Sequence, residues 1–291
     1  MTNDHHSTPD HSTDHSTPDH STPDVSIVIA DQVQTIRLTR AAKKNALTSA
    51  MYATLRQALL AGDTRHDVTA HVLLGSGGAF SAGSDIGEFL QRAQASTSGA
   101  GGATPIDLSG PILEFIRALP LIQKPLIAAV DGLAVGVGTT LLLHCDLVYA
   151  SPTATFRTPF LDLGLVPEAG SSLLAPMRMG HARAFELLAL GETFTAERAL
   201  HAGLINAIVP SAELEATAHA AAQRLAAKPP EALALCRRLL RGEPHAITAR
   251  IDEEAAIFAE RLSSREAGEA FRAFLEKRPP DFRRAKPGNP G

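Results

Sequence analysis

The stretch Lys124–Ser151, KPLIAAVDGLAVGVGTTLLLHCDLVYAS, decides the fold class. It opens on a continuous apolar run, PLIAAVDG, of strand length. A run of that kind is what a strand buried on both faces shows, and here it ends at a glycine. GVGTTLLLHCD follows and has the composition of a buried helix. LVYAS then reads as a second strand. A strand, a glycine-rich turn, a helix and another strand make an α/β unit.

The pattern continues on both sides. Upstream, VSIVIA and VQTIRLT are two strands joined by a turn at Asp31-Gln32. Thr48 is placed to cap a helix running through about Gly62, with Met51, Leu55, Ala58 and Leu59 on one face. AHVLLGSG is a buried strand ending in glycines, QASTSGAGGATP a surface loop, and about 107–119 a helix. Beyond about residue 180 the chain is mostly helical, with one short strand in NAIVP. ELEATAHAAAQRLAAK, EALALCRRLLRG and ITARIDEEAAIFAERL are rich in Ala and Leu, strong helix formers. Such an end can cover a sheet or pack against other subunits.

Composition narrows the function classes. The chain has 291 residues, 44% hydrophobic and 20% charged, which is ample for a core. Residues 1–24 repeat HSTPD imperfectly. They hold His5, His6, His11, His15 and His20 and five Asp, with no Lys or Arg. This segment reads as a disordered, solvated tail; weak binding of a divalent metal by its histidines is the alternative. Without it, 27 basic residues face 26 acidic ones, which argues against nucleic acid as a partner. No apolar run is long enough to span a membrane. The N-terminus lacks a secretory h-region, and PGNPG is not a peroxisomal address, so a cytoplasmic location is expected. Cys145 and Cys236 read as buried free thiols.

Two glycine-rich turns follow buried strands: GSGGAFSAGSDI (75–86) and DGLAVGVGTT (131–140). Glycines let the backbone turn tightly, and free N–H groups at a helix start can hold a negative oxygen. Either turn alone is equally consistent with plain strand-to-helix connections. GVGTTL has Leu141 where a dinucleotide fingerprint has its third glycine. AFSAG has Ala79 where a nucleophile elbow has its first. No GxxxxGK[ST] occurs.

Together the two turns, with RAAKKNALT, ATFRTPFLDLGLVPEAGSS and LHAGLINAIV, resemble the crotonase (enoyl-CoA hydratase/isomerase) superfamily. EAGEAFRAFLEKRPPDF is similar to that family's closing helix. The resemblance covers nearly all of the chain beyond the tail. It implies a crotonase-type spiral of ββα units over 25–210, then a helical trimerisation region over 211–291. The assembly it implies is a homotrimer or a hexamer. It implies an acyl-CoA thioester substrate with no metal or redox cofactor, coenzyme A being part of the substrate. Backbone matching Lys44, Ala46, Ala82, Asp85 and Ile86 would lie near the adenine. The backbone N–H groups of Ser84 and of Val137, beside Gly136, would form an oxyanion hole. Losing one such donor commonly costs about 2.7–4 kcal/mol.

The family's acid–base groups vary, so the fold does not decide the reaction. The two glutamates of its hydratases align with Thr140 and Phe160. A neutral hydroxyl can orient a water but is a poor general base, and Phe160 would exclude water. The glutamate that remains is Glu168, in a PE position similar to the 3,2-enoyl-CoA isomerase branch, where it is the base. By residue chemistry alone, Pro167-Glu168 is a good helix start; the resemblance makes Glu168 the proton shuttle. Phe156, Phe160, Leu163 and Leu165 are candidates for keeping it dry. Asp162 reads as a loop residue, and His144 and His181 as structural histidines. Hydratase-type or other acyl-CoA lyase chemistry stays open, as does a non-catalytic acyl-CoA-binding module.

Overall fold

The structure is a computed structural model that describes residues 22–85, 87–88 and 110–283. The His-rich repeat up to residue 21, Ile86 and the loop at about 92–105 lie outside the described residues. The expected hairpin is present: β1 (Val25–Ala30) pairs antiparallel with β2 (Val33–Leu38). The turn residues Asp31 and Gln32 both take positive φ, 50° and 62°, which matches the twist of a two-residue hairpin. Thr48 caps α1 (Ser49–Thr64), its side chain accepting from the Met51 amide, and Met51, Leu55, Ala58 and Leu59 are buried.

The chain then alternates between two sheets. β3 (Ala70–Leu74) belongs to the large sheet and β4 (Ala79–Ser81) to a small one. After α2 (Pro111–Ala118), β5 (Leu126–Val130) returns to the large sheet and β6 (Leu133–Val135) to the small one. The expected buried helix is only one turn of α-helix, α3 (Val137–Thr140), continued as a 3-10 turn over Leu141–His144. β7 (Leu147–Ala150) and β8 (Thr155–Arg157) repeat the step. α4 (Ser171–Met179), α5 (His181–Leu188), β9 (Phe194–Thr195), α6 (Ala196–His201) and β10 (Ala207–Ile208) follow. The C-terminal part is α7 (Ser211–Ala226), α8 (Pro230–Arg241), α9 (Pro244–Leu262) and α10 (Arg265–Leu275).

The large sheet has the order β1-β2-β3-β5-β7-β10, parallel except for the first pair; the small one has the order β4-β6-β8-β9. β3 and β5 are buried at every position, as central parallel strands covered on both faces must be. One face carries Ile36, Leu73, Ala128 and Val148 into the main core. The other carries Val33, Val72, Leu74 and Ile127 onto Leu214, Ala218 and Ala222 of α7. The helical end does cover the sheet. α9 and α10 do something else: they fold back against α4 and the 3-10 turn Leu161–Leu163. Cys145 is buried as expected, but Cys236 is exposed, because α8 rests on the body through only a few positions and leaves Leu235, Leu239 and Leu240 in solvent as well.

Candidate active site

β4 and β6 are parallel neighbours, so the turns that leave them lie side by side. Glycine allows the close approach. A Cβ on Gly83 would sit 2.8 Å from the Val135 carbonyl oxygen, and one on Gly138 would sit 2.8 Å from that of Ser81. The first turn is stitched to the segment before α1. The Ala82 N–H donates to the Lys44 carbonyl (2.9 Å), Leu47 to Gly83 (2.8 Å) and Asp85 to Leu47 (2.9 Å). Arg40 bridges the two, donating to the Ala46 carbonyl (3.0 Å) and to Asp85 (2.7 Å). Burial opposes ionisation of Asp85, but Arg40 and the Gly87 and Glu88 amides hold its carboxyl below the usual range. Lys44, Ala46, Ala82 and Asp85 are thus brought together.

The Ser84 N–H has no protein acceptor among the described residues, whereas the amides flanking it do. Val137 opens α3, so its N–H has no carbonyl one turn back. Both residues line a cavity of about 160 Å3, with Ala82, Gly136, Phe160 and Glu168. The rest of the wall is apolar: Ile112, Leu113 and Ile116 of α2, Leu163 and Leu165, Ile251, Ala255 and Phe258 of α9, and Phe271 of α10. Phe156 is not part of this wall; it is fully buried in the core on β8. Among the described residues that line the cavity, Glu168 is the sole ionisable side chain.

Glu168 does not start a helix. α4 begins three residues later at Ser171, with Gly170 as its N-cap. Glu168 is half-buried and lines the cavity. Burial pushes it up to about 8, opposed by the Thr140 hydroxyl and reinforced by the charge of Glu254. Thr140 donates to Glu168 Oε1 at 2.5 Å from behind; it is fully buried and not in the cavity wall, so it holds the carboxylate rather than a water. Across the site the Tyr52 hydroxyl lies 2.7 Å from Ser84 Oγ, and burial pushes the phenol well above its ordinary value.

The other candidates fall away from the chemistry. Asp162 is exposed and pairs with Arg157 (2.9 Å). His181 is exposed at the start of α5, against Phe185. His144 is structural but only half satisfied: one ring nitrogen is 2.7 Å from the Ala169 carbonyl, and Nδ1 has no partner among the described residues. Sequence reasoning did not find Tyr52, the α2 wall, or Glu254, which accepts from the Gly170 (2.6 Å) and Ser172 (2.9 Å) amides. Glu254 did leave a signal. It falls on the same helical stripe as Ile247, Ile251 and Phe258, a carboxylate where spacing calls for an apolar residue.

An apolar cavity lined by two main-chain N–H groups without a protein acceptor among the described residues and by a carboxylate raised in pKa is an arrangement suited to proton transfer beside a polarised carbonyl. A family model for enoyl-CoA hydratase/isomerase matches residues 29–285. The chain belongs to the enoyl-CoA hydratase/isomerase family. Enoyl-CoA delta isomerase 2 of Rattus norvegicus is 35% identical over 250 residues, covering 85% of this chain and 62% of that protein, so the chain spans under two thirds of that relative. The 2,3-dehydroadipyl-CoA hydratase of Escherichia coli is 32% identical over 260 residues, covering 88% of this chain and 98% of that one. The family's fold is shared in full: the crystal structure of an enoyl-CoA hydratase/isomerase from Pseudoalteromonas atlantica matches with a TM-score of 0.81 at 35% identity, over 89% of this chain and 99% of that one. Family members of both names thus stand at similar distance, and the site must choose between them.

Proposed function

We propose that this chain is a 3,2-enoyl-CoA isomerase in which Glu168 moves one proton across an allylic system. The observation that carries this reading is that Glu168 is the single ionisable side chain among the described residues of the cavity wall. Hydration as the family's hydratases run it needs two carboxylates to hold and activate a water. At the two aligned positions this chain has Phe160, in the wall, and Thr140, turned to Glu168. Isomerisation needs one base and a dry pocket.

In the proposed step the Glu168 carboxylate takes a proton from C2 of a 3-enoyl-CoA. The C2–H electron pair spreads over a dienolate whose oxygen faces the Ser84 and Val137 N–H groups. The protonated Glu168 then gives the proton to C4, and the double bond forms between C2 and C3. The carboxylate returns to its starting form, and no atoms are gained or lost. Burial makes Glu168 a stronger base once ionised. It also makes the ionised fraction at pH 7 only roughly a tenth, so kcat/KM should climb with pH until about 8. The backbone at Lys44, Ala46, Ala82 and Asp85 is the proposed support for the adenine end. A homotrimer or hexamer is the proposed assembly, and the exposed leucines of α8 are apolar surface available to it.

The test is turnover of trans-3-hexenoyl-CoA, with products resolved by mass and chromatography. The wild type should form 2-hexenoyl-CoA, and Glu168→Gln should fold yet lose about a thousandfold in kcat. A 3-hydroxyacyl product from the wild type would instead mean that water is added. Thioester binding without turnover by either protein would make the chain a binding module.

A further inference from the structure

We propose that Glu254 is a positioning residue for Glu168: from α9 it locks the turn that carries the base and sets a second negative charge behind it. The inference rests on the reading of Glu168 as the base. The turn is one that the backbone does not favour. Ala169 takes φ +60° and Gly170 φ +69°, two successive residues in the left-handed region, the first with a Cβ. Such a turn persists only where its surroundings over-determine it.

The peptide unit between Ala169 and Gly170 is held at both ends. Its carbonyl accepts from His144 Nε2 at 2.7 Å, and its N–H donates to Glu254 at 2.6 Å. Burial keeps the His144 ring neutral, so the nitrogen facing the carbonyl carries the proton. The other Glu254 oxygen accepts from Ser172 at 2.9 Å, fixing the first turn of α4 to the same carboxylate. A peptide plane gripped from opposite sides cannot rotate, and the Glu168 Cα is one residue away. The contact is close-packed: a Cβ on Gly170 would meet the Ile247 side chain at 3.1 Å.

A carboxylate is a costly choice for that task. Glu254 is 5% exposed, on a stripe otherwise apolar, and burial pushes it up despite the Ser172 hydroxyl, its two amide donors and Arg250 on the same helix. Its charge works against ionisation of Glu168, whose other polar neighbours are the Thr140 hydroxyl from α3 and, through electrostatic interaction, the Tyr52 phenol from α1. A cap needed only to close a helix start would leave the base indifferent to it.

The experiment is steady-state kinetics on 3-hexenoyl-CoA between about pH 6 and 9 for wild type, Glu254→Gln, Glu254→Asp and Glu168→Gln. Glu254→Gln removes the charge at constant length. KM should stay within about threefold, kcat should fall about ten- to a hundredfold, and the acid limb of kcat/KM should move to lower pH. Glu254→Asp keeps the charge but draws back from both amides. It should lose kcat at unchanged KM with a smaller movement of the limb. Wild-type behaviour of Glu254→Gln overturns the proposal. So does a loss of kcat with the acid limb unmoved. If Glu254→Gln does not fold, Glu254→Asp decides: an unchanged kcat overturns the proposal, a kcat loss at constant KM upholds it. Activity retained by Glu168→Gln would sink the base reading and this inference with it. An inert Glu168→Gln beside an unaffected Glu254→Gln would sink this inference alone.

Discussion

One part of the cavity wall is backbone: Ser84 and Val137, the proposed N–H donors, lie on short turns, each shaped by glycines within a few residues of it. Another part is Glu168, a side chain whose turn is held by His144, 25 positions from Ala169, and by Glu254, 84 positions from Gly170. The first wall is local and made of backbone. The second is assembled by packing across the chain and made of side chains. The difference matters for chemistry. An N–H donor needs only a fixed position, whereas a base also needs a tuned proton affinity, which distant charged and polar groups can supply.

The sharpest way to break the backbone wall is to press its two turns apart. In Gly138→Ala the new Cβ would stand 2.8 Å from the Ser81 carbonyl oxygen, a backbone atom with no rotamer to escape into. We expect kcat to drop by about a hundredfold, the usual cost of losing one oxyanion donor, with the protein still folded by circular dichroism. The control is Gly268→Ala in α10, where a Cβ meets nothing within 4 Å. Turnover there should match wild type. Equal activity in both variants would mean that the turn contact is not what shapes this wall.

The same division separates what could be read from sequence and what could not. The large sheet was legible because β3, β5 and β7 are largely apolar runs of four or five residues, and β1 and β2 are β-branched-rich segments flanking a two-residue turn. The small sheet was not: AFS, LAV, TFR and FT are too short to show a period, and its pairing depends on where the larger strands set them down. The glycine turns announced themselves locally. Glu168 stood out through the family resemblance, since by local chemistry Pro167-Glu168 passes for a helix start. Glu254 needs the knowledge that α9 folds back over residues 168–172, which no local pattern supplies. Cys236 was misread for the same reason: an apolar-looking helix gives no sign of which face stays in water.

A finer test acts on the side-chain wall from the opposite direction to Glu254. The Thr140 hydroxyl donates to Glu168 and favours its ionised form. Thr140→Val removes that donor at nearly constant volume. The acid limb of kcat/KM should move to higher pH, and turnover at about pH 7 should fall roughly tenfold, with part of the loss recovered at about pH 9. Opposite movements of the limb in Thr140→Val and Glu254→Gln would locate the tuning of Glu168 in these two neighbours. Movements of the same sign would place it elsewhere.

The smallest expected effect is on stability. Glu168 has a folded-state pKa of about 8, above the ordinary 4.5. Between those values the folded chain holds a proton that the unfolded chain has released. Stability contributed by the protonated group is therefore complete below about pH 4.5 and is lost as pH rises through about 8, after which the loss is constant. Glu168→Gln cannot titrate and escapes that loss. Its Tm should exceed that of wild type by roughly 3–6 °C at about pH 8.5, with the gap nearly closed at about pH 5. A backbone-wall variant such as Gly138→Ala should show no such pH-dependent gap, because nothing it touches changes charge. A stabilised, inactive Glu168→Gln would mean that the folded state bears the cost of an ionisable group in a dry wall, as expected where a site is built for a proton rather than for packing. A gap that does not change with pH would mean that Glu168 titrates near its ordinary value, and the basicity argued for it would have no source.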